Sequence, residues 1–133
     1  HLPAKEKLTF LDLSENLLPS EGMPHLAPFV NLETLDLWAG TFTNDDLVYL
    51  EGMQKLADLN LEGTPVTVAG VEHLLKLGSL KTLNLKETKF DDEGLAKLQA
   101  LQSLKSLNLQ QTSVTDEGAA AFQQARPDVA IER

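Results

Sequence analysis

The sequence predicts a right-handed α/β solenoid, with a parallel sheet along one face and helices along the other. Three observations carry this. Leu80-Lys81-Thr82-Leu83-Asn84-Leu85 returns 24 residues on as Leu104-Lys105-Ser106-Leu107-Asn108-Leu109, and the same triplet stands at Leu8/Leu11/Leu13, Leu32/Leu35/Leu37 and Leu56/Leu59/Leu61. Five residues past each third leucine comes another apolar residue: Leu18, Phe42, Val66, Phe90 and Val114. Each copy then carries a helix start and an apolar stripe. One strand and one helix in about 24 residues cannot bury their own apolar sides, so the copies must stack.

The strand of each copy is the Leu-x-Leu alternation, which turns one face inward. The helix starts read Ser20-Glu21-Gly22, Asn44-Asp45-Asp46, Asp92-Glu93-Gly94 and Asp116-Glu117-Gly118. Ser, Asn and Asp accept hydrogen bonds from the free N–H groups of a first turn, and the acids suit the positive end of the helix dipole. The third copy reads Val68-Ala69-Gly70, with Thr67 as the alternative cap. Apolar residues follow three apart: Met23/Leu26/Phe29, Leu47/Leu50/Met53, Val71/Leu74/Leu77 and Leu95/Leu98/Leu101, one stripe per helix.

In chain order, residues 1–7 read as the tail of a truncated repeat. Leu2 precedes Leu8 by six, as Leu26, Leu50, Leu74 and Leu98 precede their own triplets, so the parent protein is expected to continue upstream. Repeats begin at 8, 32, 56, 80 and 104 and form one domain. The first has Pro24 and Pro28, which lack an N–H and crowd the preceding turn, so its helix should be short or irregular. The second should be regular, capped by Asn44 and ending near Gly52. The third has Pro65 in its turn and Gly78 as a helix stop. The fourth is the cleanest. The fifth should hold a helix from Glu117 to about Ala125, stopping before Pro127. Val129 and Ile131 then read as the second and third leucines, 22 residues after Leu107 and Leu109, in a terminal strand over 128–132.

Leu-x-x-Leu-x-Leu-x-x-Thr-x-Val-Thr-Asp-x-Gly, seen at Leu104 to Gly118, resembles the leucine-rich repeat family. It is similar to the helix-bearing classes: the ribonuclease-inhibitor-like and cysteine-containing repeats, and bacterial repeats with Thr-Asp-x-Gly-Leu. The family's asparagine or cysteine ladder position holds Asn16, Gly40, Thr64, Thr88 and Thr112. A threonine hydroxyl can still bond loop backbone groups, whereas Gly40 brings no side chain to its turn. The resemblance implies a concave sheet face that binds partners, and it implies no chemistry, because a fold hosts many functions.

Composition narrows the partners. The chain has 133 residues, with 20 acids against 11 bases and a net charge of −9. That balance opposes non-specific nucleic-acid binding, which needs clustered Lys and Arg, and opposes anionic membrane surfaces. There is no cysteine, so no disulfide and no thiolate metal site; this leaves the compartment open. No run approaches the ~18 apolar residues of a membrane span.

The candidate chemistry is weak everywhere but the sheet face. His1, His25 and His73 share a column with Tyr49 and Lys97, but one His per helix cannot converge on a metal. Asp91, Asp92 and Glu93 should lie beside Asp116 and Glu117, where capping explains them without calcium. No serine pairs with a histidine in register, and the glycines do not form a phosphate loop, so no catalytic residue, metal or cofactor is expected. The concave face presents three columns: Phe10, Thr34, Asp58, Thr82, Ser106; then Asp12, Asp36, Asn60, Asn84, Asn108; then Ser14, Trp38, Glu62, Lys86, Gln110. The all-Asp/Asn column reads either as a ladder between strands or as a polar floor for a partner. Trp38 and Phe10 occupy solvent slots about 14 Å apart, and exposed aromatics serve as binding anchors. The candidate binding set is therefore Phe10, Asp12, Asp36, Trp38, Asp58, Asn60, Glu62, Asn84 and Lys86. The expected function is non-catalytic binding of a protein or ligand, a basic one by charge. The alternative is a structural spacer or C-terminal accessory domain of a larger bacterial protein. Self-association is expected at the uncovered N-terminal end.

Overall fold

A computed structural model describes residues 5–133. The expected tail at His1-Leu2 and the column position of His1 lie outside the described residues. Six parallel strands stack in chain order: β1 (Phe10–Asp12), β2 (Thr34–Asp36), β3 (Asp58–Asn60), β4 (Thr82–Asn84), β5 (Ser106–Asn108) and β6 (Ala130–Glu132). Leu11, Leu35, Leu59, Leu83, Leu107 and Ile131 pair in one row, so every step of the sheet is 24 residues. The chain is a leucine-rich repeat solenoid. Its leucines, with Phe42, Phe90 and Phe122, form one continuous core between sheet and helices.

The terminal strand corrects the expected spacing of 22. Ile131 pairs with Leu107, not with a position near Leu109, so the register of 24 is kept to the end. Asp128 falls in the first-leucine slot and binds the Arg126 guanidinium instead of packing.

The convex layer grows more α-helical along the chain. Repeat one has a 3-10 helix, Ser20–Leu26, with Pro24 inside it. Repeat two was expected to be regular but is also a 3-10 helix, Asn44–Leu50. Repeat three has a 3-10 turn (Val68–Gly70) leading into α1 (Val71–Leu74). Repeat four has α2 (Asp92–Lys97) and a 3-10 end (Leu98–Ala100), and repeat five has α3 (Asp116–Ala125). Propensity accounts for the trend. Asn44, Asp45, Asp46, Val48 and Tyr49 are poor helix formers, whereas α3 carries four alanines and two glutamines.

The helix caps lie one residue earlier than the sequence suggested, except at Thr67. Asp91 accepts from the Gly94 N–H (3.0 Å), Thr115 from the Gly118 N–H (3.0 Å), and Thr67 from the Ala69 N–H (3.2 Å). Thr43 caps repeat two in a box with Asp46. The residues expected as caps reach across to a neighbouring repeat instead. Asn44 Oδ1 accepts from the Thr67 N–H (2.9 Å), and Asp92 accepts from the Thr115 N–H (2.8 Å) and hydroxyl (2.6 Å). Ser20 donates to Asp46 (2.5 Å), whose carboxylate also holds the Thr43 N–H. The Thr-Asp-x-Gly signature is thus a joint. Thr caps its own helix, Asp tethers the next repeat, and Gly leaves room for the tether arriving from the previous one. A Cβ on Gly118 would collide with the Asp92 carboxylate, and one on Gly70 would come within 2.7 Å of Asn44 Oδ1. Gly118→Ala is expected to destabilise by about 1–3 kcal/mol in a urea titration, as overpacking does, and by less in an Asp92→Ala background, because the clash and the tether are one contact.

The tether also titrates. The Thr115 hydroxyl and N–H, and more weakly Arg133, hold the Asp92 carboxyl below the ordinary aspartate value of 3.8. A folded-state pKa below the unfolded one stabilises fully above about 3.8 and is lost as pH falls through the lower folded value. Acid titration followed by circular dichroism should show a shallower loss for Asp92→Asn than for the parent. Equal slopes would mean that this carboxylate is not tethered in solution.

The turn after each strand passes through a left-handed residue at Glu15, Ala39, Gly63, Glu87 and Gln111, with φ between 57 and 70°. Four of these five are not glycine, so other bonds must hold the turn. The ladder threonines supply one. Thr64, Thr88 and Thr112 each donate to the third-leucine carbonyl of their own repeat at 2.7 Å. At Gly40 the turn closes without a side chain, because the Phe42 ring fills the space a Cβ would take.

Candidate functional site

The sheet face opposite the helices is shaped by its middle column. Asp12, Asp36, Asn60, Asn84 and Asn108 each turn one side-chain oxygen back to the N–H two residues on, at Ser14, Trp38, Glu62, Lys86 and Gln110, over 2.8–3.0 Å. Of the two readings of this column, the ladder between strands gives way to five local turns. Asp and Asn form this bond best, with Ser and Thr hydroxyls making a weaker version. The bond supports the left-handed residue that follows and leaves each group's second polar atom out of the turn; at Asn84 that atom donates to Glu62 (3.2 Å).

Four of the candidate residues meet in one hollow. Asp36, Asp58, Asn60 and Asn84, with Thr34 and Thr82, line a shallow depression of about 160 Å³ across β2, β3 and β4. Thr34 donates a long bond to Asp58 (3.4 Å). Thr34 and Thr82 were absent from the candidate set, although their place in the column of Phe10 and Asp58 was the available signal. No basic side chain lines the hollow. The nearest in register, Lys86, lies 3.9 Å from Glu62, which also accepts from Asn84 Nδ2 at 3.2 Å.

The two aromatics differ. Phe10 is 60% exposed at the end strand β1. Trp38, expected in a solvent slot, is half-buried. Its indole Nε1 leans over the next repeat's turn, 3.7 Å from where a Cβ of Gly63 would stand. Trp38, Glu62 and Lys86 thus form a rim at the C-terminal ends of the strands, and Phe10 and Asp12 lie to one side on β1.

On the helical side, His73 Nδ1 lies 2.5 Å from Glu51 of the preceding repeat, and His25 is exposed. Asp92 is committed to Thr115, and Asp116 to Arg133. Among the described residues no three His, Asp or Glu side chains come together as a metal would need.

Residues 79–98 and 100–122 match a family model described as Leucine Rich repeat. No curated protein matches the sequence. Solved structures do. Internalin C2 of Listeria monocytogenes superposes with a TM-score of 0.76 at 24% identity, over 96% of this chain and 52% of that one. A leucine-rich repeat protein of Leptospira interrogans gives 0.66 at 14%, over 96% and 38%. A second Listeria monocytogenes internalin gives 0.53 at 18%, over 82% and 36%. The chain thus spans about half the length of the first of these and less of the others, and at these identities the likeness is one of fold.

Proposed function

We propose that this chain, which is a leucine-rich repeat protein, is a non-catalytic module that holds a basic protein segment or ligand on its concave face. The fold generally serves protein binding. The observation that supports this face is the hollow over β2–β4. It carries Asp36 and Asp58 without a basic side chain and lies below the Trp38 rim. An arginine or lysine can meet the second oxygen of Asp36 and the Asp58 carboxylate, and its stem or an adjacent aromatic can lie on the indole. The middle column needs no rearrangement to receive it, because the five turns already fix those side chains.

Trp38 is the only tryptophan, so its fluorescence reports directly on this face. Titrating arginine- and aromatic-bearing peptides should shift that emission, and association should slow as salt rises. By calorimetry Trp38→Ala should weaken binding about thirtyfold, as loss of an anchor worth about 2 kcal/mol requires, while Gln110→Ala leaves it unchanged. Equal affinities for both variants and the parent would remove this site and leave the reading of a structural spacer in a larger protein.

A further inference from the structure

The middle column of the sheet face has a polarity that follows from its turns. In every copy Oδ1 accepts from the N–H two residues on, so the copies differ only in the second atom. At Asp36 that atom is a carboxylate oxygen, which accepts. At Asn60, Asn84 and Asn108 it is an amide nitrogen, which donates. These four residues pair in one row, so the row changes from acceptor to donor between β2 and β3. The flanking charges follow the same order. Asp58 pairs with Thr34, beside Asp36, and Lys86 follows Asn84, beside Asn108. Glu62, the acid between them, is satisfied within the protein. Asn84 Nδ2 donates to one of its oxygens (3.2 Å), and Lys86 Nζ lies 3.9 Å from the other. Asn108 Nδ2 bonds no other group among the described residues.

Resting on the basic group proposed for this face, we infer that its occupant is an extended polypeptide segment with an arginine and an acidic residue two places apart. The arginine lies over Asp36 and Asp58, and the acid lies between Lys86 and Asn108. Strand spacing sets the distance. From the β2–β3 step to the β4–β5 step is two spacings, about 10 Å. An extended segment lying along the row puts every second side chain on one face, about 7 Å apart. The lengths of the arginine and glutamate side chains cover the remainder. Asp36 and Asp58 stand on a diagonal, about 8 Å apart between backbones, which a guanidinium fork can span. Lys86 has three N–H donors, so its contact with Glu62 leaves others for an incoming carboxylate. A second arginine in place of the acid would face Lys86 and an amide N–H, a repulsive contact that selects against all-basic segments.

The column supplies its own test, because Asp and Asn make the same turn in it. Asp36→Asn and Asn108→Asp each keep the Oδ1 bond and exchange only the second atom, so circular dichroism should not change. The probes are the end-blocked peptide Ala-Ala-Arg-Ala-Glu-Ala-Ala and the same peptide with Gln for Glu. Trp38 emission and calorimetry read binding at about 0.15 M salt, where the Debye length is about 8 Å. The net charge of −9 favours the Gln peptide, whereas the row favours the Glu peptide, so the two effects predict opposite orders. The Glu peptide should bind the parent about tenfold more tightly than the Gln peptide. Asn108→Asp should abolish or reverse that preference, and Asp36→Asn should weaken both peptides about equally. A Gln peptide that binds the parent as well as the Glu peptide would overturn the polarity. So would a preference that survives Asn108→Asp. In either case a loss of both peptides on Asp36→Asn would still uphold a basic group on this face. Should neither peptide bind the parent at up to about 1 mM, both the polarity and the basic-group reading fall.

Discussion

Leu83→Ala is expected to cost about 2–5 kcal/mol of stability, while Lys97→Ala should cost less than about 0.5 kcal/mol. Leu83 is completely buried at the centre of the middle leucine row, between Leu59 on one strand and Leu107 on the next. Truncation opens a cavity that neither neighbour can fill, because each is fixed by its own strand pairing. The lost transfer free energy then adds to the lost packing. Lys97 is exposed and lies 3.7 Å from Glu72, which is also exposed, so water and salt screen the pair. Urea unfolding of the two variants checks this. Small, equal losses would mean that the 24-residue register is wrong.

Arg126→Ala should cost about 3 kcal/mol, a large value for a residue outside the leucine slots. Its side chain is 13% exposed. Nη1 donates to the carbonyls of Gln99 and Leu101 at 2.9 Å each, and Nη2 donates to that of Leu104 at 3.2 Å. These carbonyls belong to the end of the fourth repeat's convex segment and the turn into β5, where a cation also complements the helix dipole. Asp128 holds the guanidinium through Nε and Nη2, and that bond in turn keeps the Asp128 carboxyl below its ordinary range. Alanine would leave several half-buried acceptors and one carboxylate without their donor. Lysine should restore little, since it lacks the planar fork that spans them. The local signature is faster exchange at the Ala130 amide, which bonds the Lys105 carbonyl and ties β6 to the stack. An unchanged urea midpoint for Arg126→Ala would mean that β6 is held by strand pairing alone.

The leucine rows were legible because their period is set by burial, and every leucine in them must face inward whatever surrounds it. The helix caps were misplaced by one because two adjacent polar residues, such as Asp91 and Asp92 or Thr115 and Asp116, are equally good caps in isolation. Which of them caps depends on where the neighbouring repeat's N–H groups fall, and no single-repeat pattern contains that. The middle column of the sheet face was seen as a row of Asp and Asn, but alternation along a strand says only which side a residue faces. That these side chains fold back on their own turns depends on the left-handed residue three positions on, which the sequence hides at Glu87 and Gln111. The half-burial of Trp38 escaped for a related reason. It depends on Gly63, one strand away, offering a flat turn on which an indole can lie.

The tethers between helix starts have a mechanical consequence. Ser20–Asp46 joins the first two repeats, Asn44–Thr67 the next two, and Asp92–Thr115 the last two. At the step between the third and fourth repeats the tethering position is Val68, which has no polar side chain to reach Asp91. On the helical side that step keeps only the Ser103–Gly78 bond and an exposed Lys97–Glu72 contact, and on the sheet side its strand pairing with the Asn84 and Lys86 contacts to Glu62. The stack is therefore jointed rather than uniform. Pulled from its two ends, it should part first along this seam, into residues 5–79 and residues 80–133. The seam cuts across the hollow on the sheet face, with β2 and β3 on one side and β4 on the other. Anything bound there would act as a clasp across the fracture line.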